Sequence, residues 1–327
     1  MTEPNWHFTS VAQFRSRAGL DAFLYMADMV AAARVGTRMF PGKVVGTLFF
    51  EPSTRTRMSF QAATIRLGGN CVDMGDLLLN SQSKGESELD TVANIAEYCD
   101  AIIIRHKDDA FVSQFATDDF STPVIDGGSG TLSHPTQALL DILTVQQSHR
   151  RIDYLSWVIC GDLLRSRTVR SLLGLLRHCK GVRVTLVHPE GLGLSKVEEE
   201  HAMQCMDVRH CTSLEESCRG ADVVYMTRLQ KERPFAGGEA GPQATGVDYC
   251  DYPADFRMNE KCLEALPPDA IVMHPGPCGP EITPACKADG RNVILKQARN
   301  GMHVRQTLLH CILSSDGKEW KSWFGGS

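Results

Sequence analysis

The chain has 327 residues, 43% of them hydrophobic and 22% charged, with a net charge of −5. At about 150 residues per domain this suggests two globular domains, and the balance gives no global pull toward nucleic acid or an acidic membrane surface. No apolar run approaches the roughly 20 residues of a membrane-spanning helix, and the first residues, with Glu3, Asn5, His7 and Arg15, hold no signal-peptide core, so a cytoplasmic address is expected.

Short apolar runs alternate with longer amphipathic stretches. In the first half, strands are expected over Val44–Phe50, Cys71–Met74, Ala101–Arg105 and Pro123–Asp126, with helices over Ser59–Leu67, Glu88–Cys99 and Gln137–Gln147. In the second half, the expected strands are Trp157–Cys160, Arg183–Val187, Val223–Met226 and Ala270–Met273, and the expected helices are Thr168–His178 and Ser213–Arg219. The alternation predicts an α/β protein of two domains, each a parallel β-sheet flanked by helices. Right-handed crossovers then bring the C-terminal strand ends of each sheet to one edge, where open α/β sheets bind ligands. A polar stretch, Ser148–Asp153, marks the expected break, giving domains over 1–149 and 150–290. The segment Leu295–Leu313 reads as a further helix with one apolar face; within a closing segment 291–327 it is expected to pack back on the first domain. The glycine-rich GGEAGPQAT, Gly237 to Thr245, fits either a surface insertion or a lid over a site. The 12 cysteines form no Cys-x-x-Cys pair and no zinc-finger spacing, so reduced, buried thiols are expected.

The chemistry follows the strands. After the first comes Glu51-Pro52-Ser53-Thr54-Arg55-Thr56-Arg57 at a helix start. Hydroxyls, arginines and backbone N–H groups there suit a phosphate better than a simple cap. Arg105-His106 follows the third strand, and GGSGTLSHPTQALLD places His134 and Gln137 at another helix start. In the second half, GDLLRSRTVRSLL sets Arg165 and Arg167 after a strand, with no GxGxxG turn for a dinucleotide. TRLQKER sets Arg228, Gln230 and Arg233 after another strand, and MHPGPCGPEI sets His274, Pro275, Gly276 and Pro277 after the last. Arginines at strand ends suit carboxylates, which they grip through paired N–H bonds. The set points to a phosphate-bearing donor on the first domain and an acidic acceptor on the second.

FFEPSTRTRMSF, SKGESELDT, RH, HPTQALLD, GDLLRSRTVRSL, YMTRLQKER, HPGP and QARNGMHVRQTLL follow one another in an order that resembles the aspartate carbamoyltransferase family, from about Phe8 to Leu313. The ornithine branch would show a Cys-Leu-Pro stretch, which is absent. The resemblance implies an active site in the interdomain cleft and no metal or organic cofactor. Ser53, Thr54, Arg55 and Thr56 would hold the phosphate of carbamoyl phosphate. Thr56, Arg105 and His134 would polarise its carbonyl, and Gln137 would orient its amide. Arg167, Arg228 and Gln230 would grip the acceptor's carboxylates, and the backbone at Pro275 and Gly276 would position its amine. Lys84 would reach in from a neighbouring subunit, with Ser81, next to Asn80, substituting for the family's usual serine if the loop shifts, making a homotrimer with shared active sites. Glu51, Arg167 and Arg233 would form the pairs of the closed state. A regulatory subunit is left open by the sequence.

Several positions depart from the family's usual pattern. Asn80 stands where a serine joins the site, Cys278 and Gly279-Pro280 alter the HPGP loop, Gly276 replaces leucine, Arg165 replaces an aromatic or neutral residue, and Gln61 replaces a glutamate. Gly276, Cys278 and Arg165 all fall on the acceptor side. Two alternatives to aspartate carbamoylation follow: a carbamoyltransferase for a different amino-acid acceptor, and a non-catalytic homologue acting as an assembly subunit.

Overall fold

The computed structural model describes residues 7–32, 39–75, 85–230 and 254–314, and the chain divides into two units, Met1–Leu140 with Arg299–Ser327, and Asp141–Ala298. In the first unit a helix over Arg17–Ala31 (α1) precedes the strand Val44–Phe49 (β1). Then follow α2 (Thr54–Arg66), β2 (Asn70–Asp73), α3 (Glu88–Ala96), β3 (Ala101–Arg105), β4 (Val124–Asp126) and α4 (Pro135–His149), within which the unit boundary falls. The strands lie in the order β2-β1-β3-β4, each neighbouring pair parallel. β3 is buried along its whole length and β1 along all but its first residue, the pattern of strands covered on both faces. Leu48, Ile102, Ile104 and Val124 of the sheet pack with Val92 and Ala96 of α3 and with Phe111 and Phe115. Each large apolar side chain buried there contributes about 1.5–3 kcal/mol.

The second unit runs β5 (Ser156–Cys160), α5 (Arg167–Leu176), β6 (Arg183–Val187), α6 (Lys196–Met203), β7 (Asp207–Cys211), α7 (Leu214–Cys218) and β8 (Val223–Met226). It continues through α8 (Glu260–Ala265), β9 (Ile271–Met273), α9 (Pro284–Ala288) and the first turn of α10 (Ile294–Leu313). Its sheet order is β7-β6-β5-β8-β9, again all parallel. Val158, Val224, Met226 and Val272 pack under Leu214, Cys218, Cys262 and Cys286.

The strand orders locate the ligand crevices. The chain leaves β1 to one side for β2 and then crosses to β3 on the other side; likewise it leaves β5 for β6 and β7 and returns to β8. The reversal between β1 and β3, and that between β5 and β8, are topological switch points, and the crevice opens at their C-terminal ends.

Two differences from the sequence reading matter. β7 was not expected: DVRHC is an edge strand with exposed polar residues, so it lacks the apolar run of a buried strand. α2 begins at Thr54 rather than near Ser59, which puts Thr54, Arg55 and Thr56 inside the first helical turn. The short α6, α8 and α9 and the N-terminal α1 also went unpredicted. Among the described residues the cysteines are free thiols, with Cys160, Cys179, Cys218, Cys262, Cys286 and Cys311 buried but Cys205 exposed, and no helix is long and apolar enough to cross a membrane.

Candidate active site

β1 delivers the chain into Phe50-Glu51-Pro52 and then into α2, whose N-cap is Ser53. In α1, α3, α5, α6, α7, α8 and α9 the N-cap side chain accepts a hydrogen bond from the first helical turn. Ser53 makes no such bond to the first turn of α2, whose N–H groups point out of the helix end as an anion site requires. The charges point the same way. α3, α6, α7 and α8 open with acidic residues that complement the helix dipole, whereas the first turns of α2 and α5 hold Arg55 and Arg167 and no acid. α1 also opens on an arginine, Arg17, which pairs with Asp21 one turn on. A guanidinium at a helix N-terminus adds to the positive end of the dipole, and the two together attract an anion.

The rest of the first-unit set gathers at the same sheet edge. Arg105 ends β3 opposite Phe49 of β1, and its carbonyl accepts from the Phe50 N–H at 2.8 Å. Its Nε lies 3.3 Å from the Glu51 carboxylate, which joins the two strand ends. His134 precedes α4, and its carbonyl accepts from the N–H of Gln137, both residues being buried. Gly128 has φ +100° and its α-carbon faces the His134 ring; a β-carbon there would come within 2.8 Å of it. The loop between is held by two carboxylates. Asp126 accepts from Gly128 N–H and the Ser129 hydroxyl, and Asp109 accepts from the N–H groups of Thr131 and Leu132. Behind the site, Arg305 of α10 donates to Ser59 of α2 and Thr136 of α4 and lies over the Phe60 ring, tying the two helix starts together. His106, beside Arg105, is committed elsewhere: its ring stacks on Phe111 and its Nε2 lies 3.1 Å from Glu88.

In the second unit the strand ends on either side of the switch point are locked together. Gly161 follows β5 with φ +123°, and a β-carbon there would meet the Thr227 carbonyl at 2.3 Å. Thr227 returns two bonds to the Cys160 carbonyl. Asp162, fully buried, accepts from the Arg165 N–H and guanidinium and from the Gln230 N–H, each at 3.1 Å. Asp162 thus joins the two strand ends, and Arg165 pairs with it from the β5 side. Arg167 opens α5 and is buried, Arg228 is half-buried with its guanidinium on the Leu229 carbonyl, and Gln230 is buried.

After β9, Pro275 and Gly276 are half-buried. His274, Cys278 and Glu281 there bring potential metal-ligand atoms within 4.8 Å of one another. The hydrogen bonds oppose a metal. His274 Nδ1 already accepts from the Gly276 N–H at 2.7 Å, so its proton sits on Nε2, 2.7 Å from Glu281. Burial pushes the Glu281 carboxyl up, but the His274 bond and the Gly279 N–H outweigh it and hold it below its ordinary value.

The structure therefore brings Glu51, Ser53, Thr54, Arg55, Thr56, Arg105, His134 and Gln137 to one edge of the first sheet. It brings Arg167, Arg228, Gln230, Pro275 and Gly276 to the corresponding edge of the second. Ser81, Lys84, Arg233, Asn80 and the Gly237–Thr245 loop lie outside the described residues. Asp109, Asp126, Asp162, Glu281 and Arg305 were not singled out from sequence as supports of the site. The Gln61 departure also has a partner: its amide donates to Asp73, where a glutamate would set two carboxylates together.

Comparison with known proteins agrees with this layout. The family description "Aspartate/ornithine carbamoyltransferase, carbamoyl-P binding domain" matches residues 6–147, and "Aspartate/ornithine carbamoyltransferase, Asp/Orn binding domain" matches 153–312. An aspartate carbamoyltransferase catalytic subunit of Methanocorpusculum labreanum is 35% identical over 315 residues, covering 96% of this chain and 100% of that protein. One from Archaeoglobus fulgidus is 38% identical, covering 87% of this chain and 90% of that one. Aspartate transcarbamoylase of Trypanosoma cruzi, crystallised with carbamoyl phosphate and aspartate, superposes with a TM-score of 0.83 at 32% identity, over 94% of this chain and 96% of that one.

Proposed function

The chain belongs to the aspartate/ornithine carbamoyltransferase family, and from that premise we propose that it transfers the carbamoyl group of carbamoyl phosphate to the amine of L-aspartate, giving N-carbamoyl-L-aspartate and phosphate. The observation that carries the donor half is the start of α2, where Ser53 makes no side-chain cap bond and Thr54, Arg55 and Thr56 fill the first helical turn. Ser53, Thr54, Arg55 and Thr56 hold the phosphate there. Thr56, Arg105 and His134 stabilise the oxyanion as the carbonyl carbon becomes tetrahedral, and Gln137 orients the amide. The Arg105–Glu51 contact and the bonds from Asp109 and Asp126 hold that edge ready before substrate arrives.

On the acceptor side Arg167, Arg228 and Gln230 take the two carboxylates, and the backbone at Pro275 and Gly276 receives the amine. The neutral amine attacks the carbonyl carbon, a C–N bond forms, the C–O bond to phosphate breaks, and the departing phosphate accepts the amine's proton. No metal or organic cofactor enters any step. Glu51, Arg167 and Arg233 serve closure, and Lys84 and Ser81 come from a neighbouring chain, so the working unit is a homotrimer. The setting is the cytoplasm and the pathway pyrimidine synthesis. The burial of Arg165 against Asp162 supports aspartate over another acceptor, because that guanidinium is already spoken for by a carboxylate of the chain.

A product assay with carbamoyl phosphate and a panel of amines headed by aspartate, following phosphate release and the ureido product together, tests the reading. Strong turnover with aspartate is expected; ureido product only from a different amine would overturn the acceptor assignment. Light scattering tests the assembly, and a stable, fully active monomer would sink the shared site.

A further inference from the structure

The loop after β9 is fastened from beneath by groups that the reaction itself does not use. His274 and Glu281 are both fully buried, 2% and 0% exposed. The His274 ring accepts the Gly276 N–H on Nδ1 and faces Glu281 Oε1 with Nε2, both at 2.7 Å. The same Oε1 accepts the Gly279 N–H at 2.7 Å, so one oxygen gathers both sides of the turn. The His274 backbone is fixed too. Its N–H donates to Gln297, Gln297 donates to Asp141, and Asp141 also accepts from the hydroxyl of Tyr225 in β8. Asp141, Tyr225 and Gln297 are all buried. The strand that leads to Arg228 and Gln230 and the strand that leads to Pro275 and Gly276 therefore share one buried polar chain.

The consequence for the loop follows from peptide geometry. The Pro275–Gly276 bond is trans, so its N–H and C=O point in opposite directions. With the Gly276 N–H drawn down to His274, the Pro275 carbonyl must face away from the buried pair. We infer that the His274–Glu281 pair is a positioning device that fixes the Pro275 carbonyl as an acceptor for the amine of the attacking amino acid, His274 acting through Gly276 and Glu281 acting through His274 and Gly279. This rests on the reading that Pro275 and Gly276 receive the amine. Neither His274 nor Glu281 touches substrate, and Cys278 is not required.

The test separates positioning from bulk stability. Glu281→Ala removes the shared acceptor. Glu281→Asp draws the carboxylate back by one methylene so that it cannot reach both His274 and Gly279. Glu281→Gln keeps Oε1 in place. At saturating carbamoyl phosphate, Glu281→Ala should raise the KM for aspartate about tenfold or more and Glu281→Asp by about threefold or more, with carbamoyl phosphate binding within about twofold of the parent and Glu281→Gln close to it. If Glu281→Ala does not fold, the Asp variant carries the test. An aspartate KM unmoved in a folded Ala or Asp variant, or an equal loss of carbamoyl phosphate affinity, overturns the inference. An inactive parent enzyme is a different result and breaks the functional reading instead. Hydrogen exchange at the Gly276 amide needs no turnover: Glu281→Ala should expose it, and unchanged protection overturns the inference on its own.

Discussion

In the first unit Thr54 and Arg55 stand exposed at the start of α2 and Ser53 beside them is half-buried, whereas in the second unit Arg167 is 3% exposed and Gln230 8%. The donor edge offers an anion backbone N–H groups and a helix dipole, which are fixed by the fold and already polar. The acceptor edge offers side chains sunk in the protein, where a guanidinium is costly unless carboxylates meet it. Asp162 is such a carboxylate for Arg165. The phosphate end of the donor edge rests on backbone and keeps its grip when a side chain that reaches the carbonyl is cut away, while the carboxylate grip of the acceptor edge depends on each buried side chain. The first should therefore lose rate when a reacting group goes, and the second should lose affinity for the acceptor.

The largest expected effect is on the donor edge. His134→Ala should lower kcat by about 10²–10³-fold, the cost of one missing oxyanion donor. Its carbamoyl phosphate affinity should change little, because the phosphate is held by α2. Phosphate release under saturating substrates measures it, and a loss below tenfold would remove His134 from the oxyanion site. On the acceptor edge, Arg228→Ala should leave carbamoyl phosphate binding alone and raise the KM for aspartate by about 10–100-fold, the range for losing a hydrogen bond to a charged group at about 1.5–3 kcal/mol. An equal rise in both substrates' constants would erase the contrast between the edges.

Much of this layout was legible in the sequence, for reasons that differ by residue. Ala101–Arg105 came out with its observed bounds because a strand buried on both faces is a nearly continuous apolar run, and Arg183–Val187 because polar Arg183 and Thr185 alternate with buried Val184 and Leu186. Ser53 to Thr56, Arg105 and Arg228 stood out because polar groups follow such runs within a few residues, and His134 because it stands at the start of a helix. β7 escaped because an edge strand with one wet face carries no run. Asp109, Asp126, Asp162 and Glu281 escaped because a carboxylate that accepts loop N–H groups looks like any surface acid until the loop has folded over it. Asp109 meets Thr131 from 22 residues away, a separation with no local signature. Arg305 escaped for the same reason: its partners, Ser59 and Thr136, are brought to it only by the packing of the first unit.

Arg305 gives a way to sharpen the comparison without touching substrate. Arg305→Ala removes both hydroxyl contacts and the Phe60 stack, at about 2 kcal/mol in total. It should loosen the starts of α2 and α4 and leave the second unit as it was. Hydrogen exchange is the measurement: faster exchange confined to those two helices is expected. Equal loosening across the second unit would show that the two edges are not supported separately.

The smallest effect concerns the far ends of the same strands. Lys43, just before β1, donates to Asp100, just before β3, at 2.6 Å, and Asp100 also accepts from the Val44 N–H at 2.8 Å. Partial burial pushes the Asp100 carboxyl up, but these donors outweigh it and its pKa is lowered in the fold. A lowered folded value means the contribution is complete above the unfolded carboxylate pKa of about 3.9 and is lost as pH falls through the folded pKa. The side chains are 43% and 31% exposed, so solvent screening limits the gain to about 0.2–1 kcal/mol. Asp100→Asn should therefore be slightly less stable than the parent at pH 7, and the gap should close in acid and shrink with added salt. Denaturant titrations across pH measure this. Because the pair lies at the strand ends opposite the donor residues, kcat and both KM values should stay at the parent level; a kinetic change of the size expected for His134→Ala would mean that the two ends of the first sheet are coupled and that the donor edge is not self-supporting.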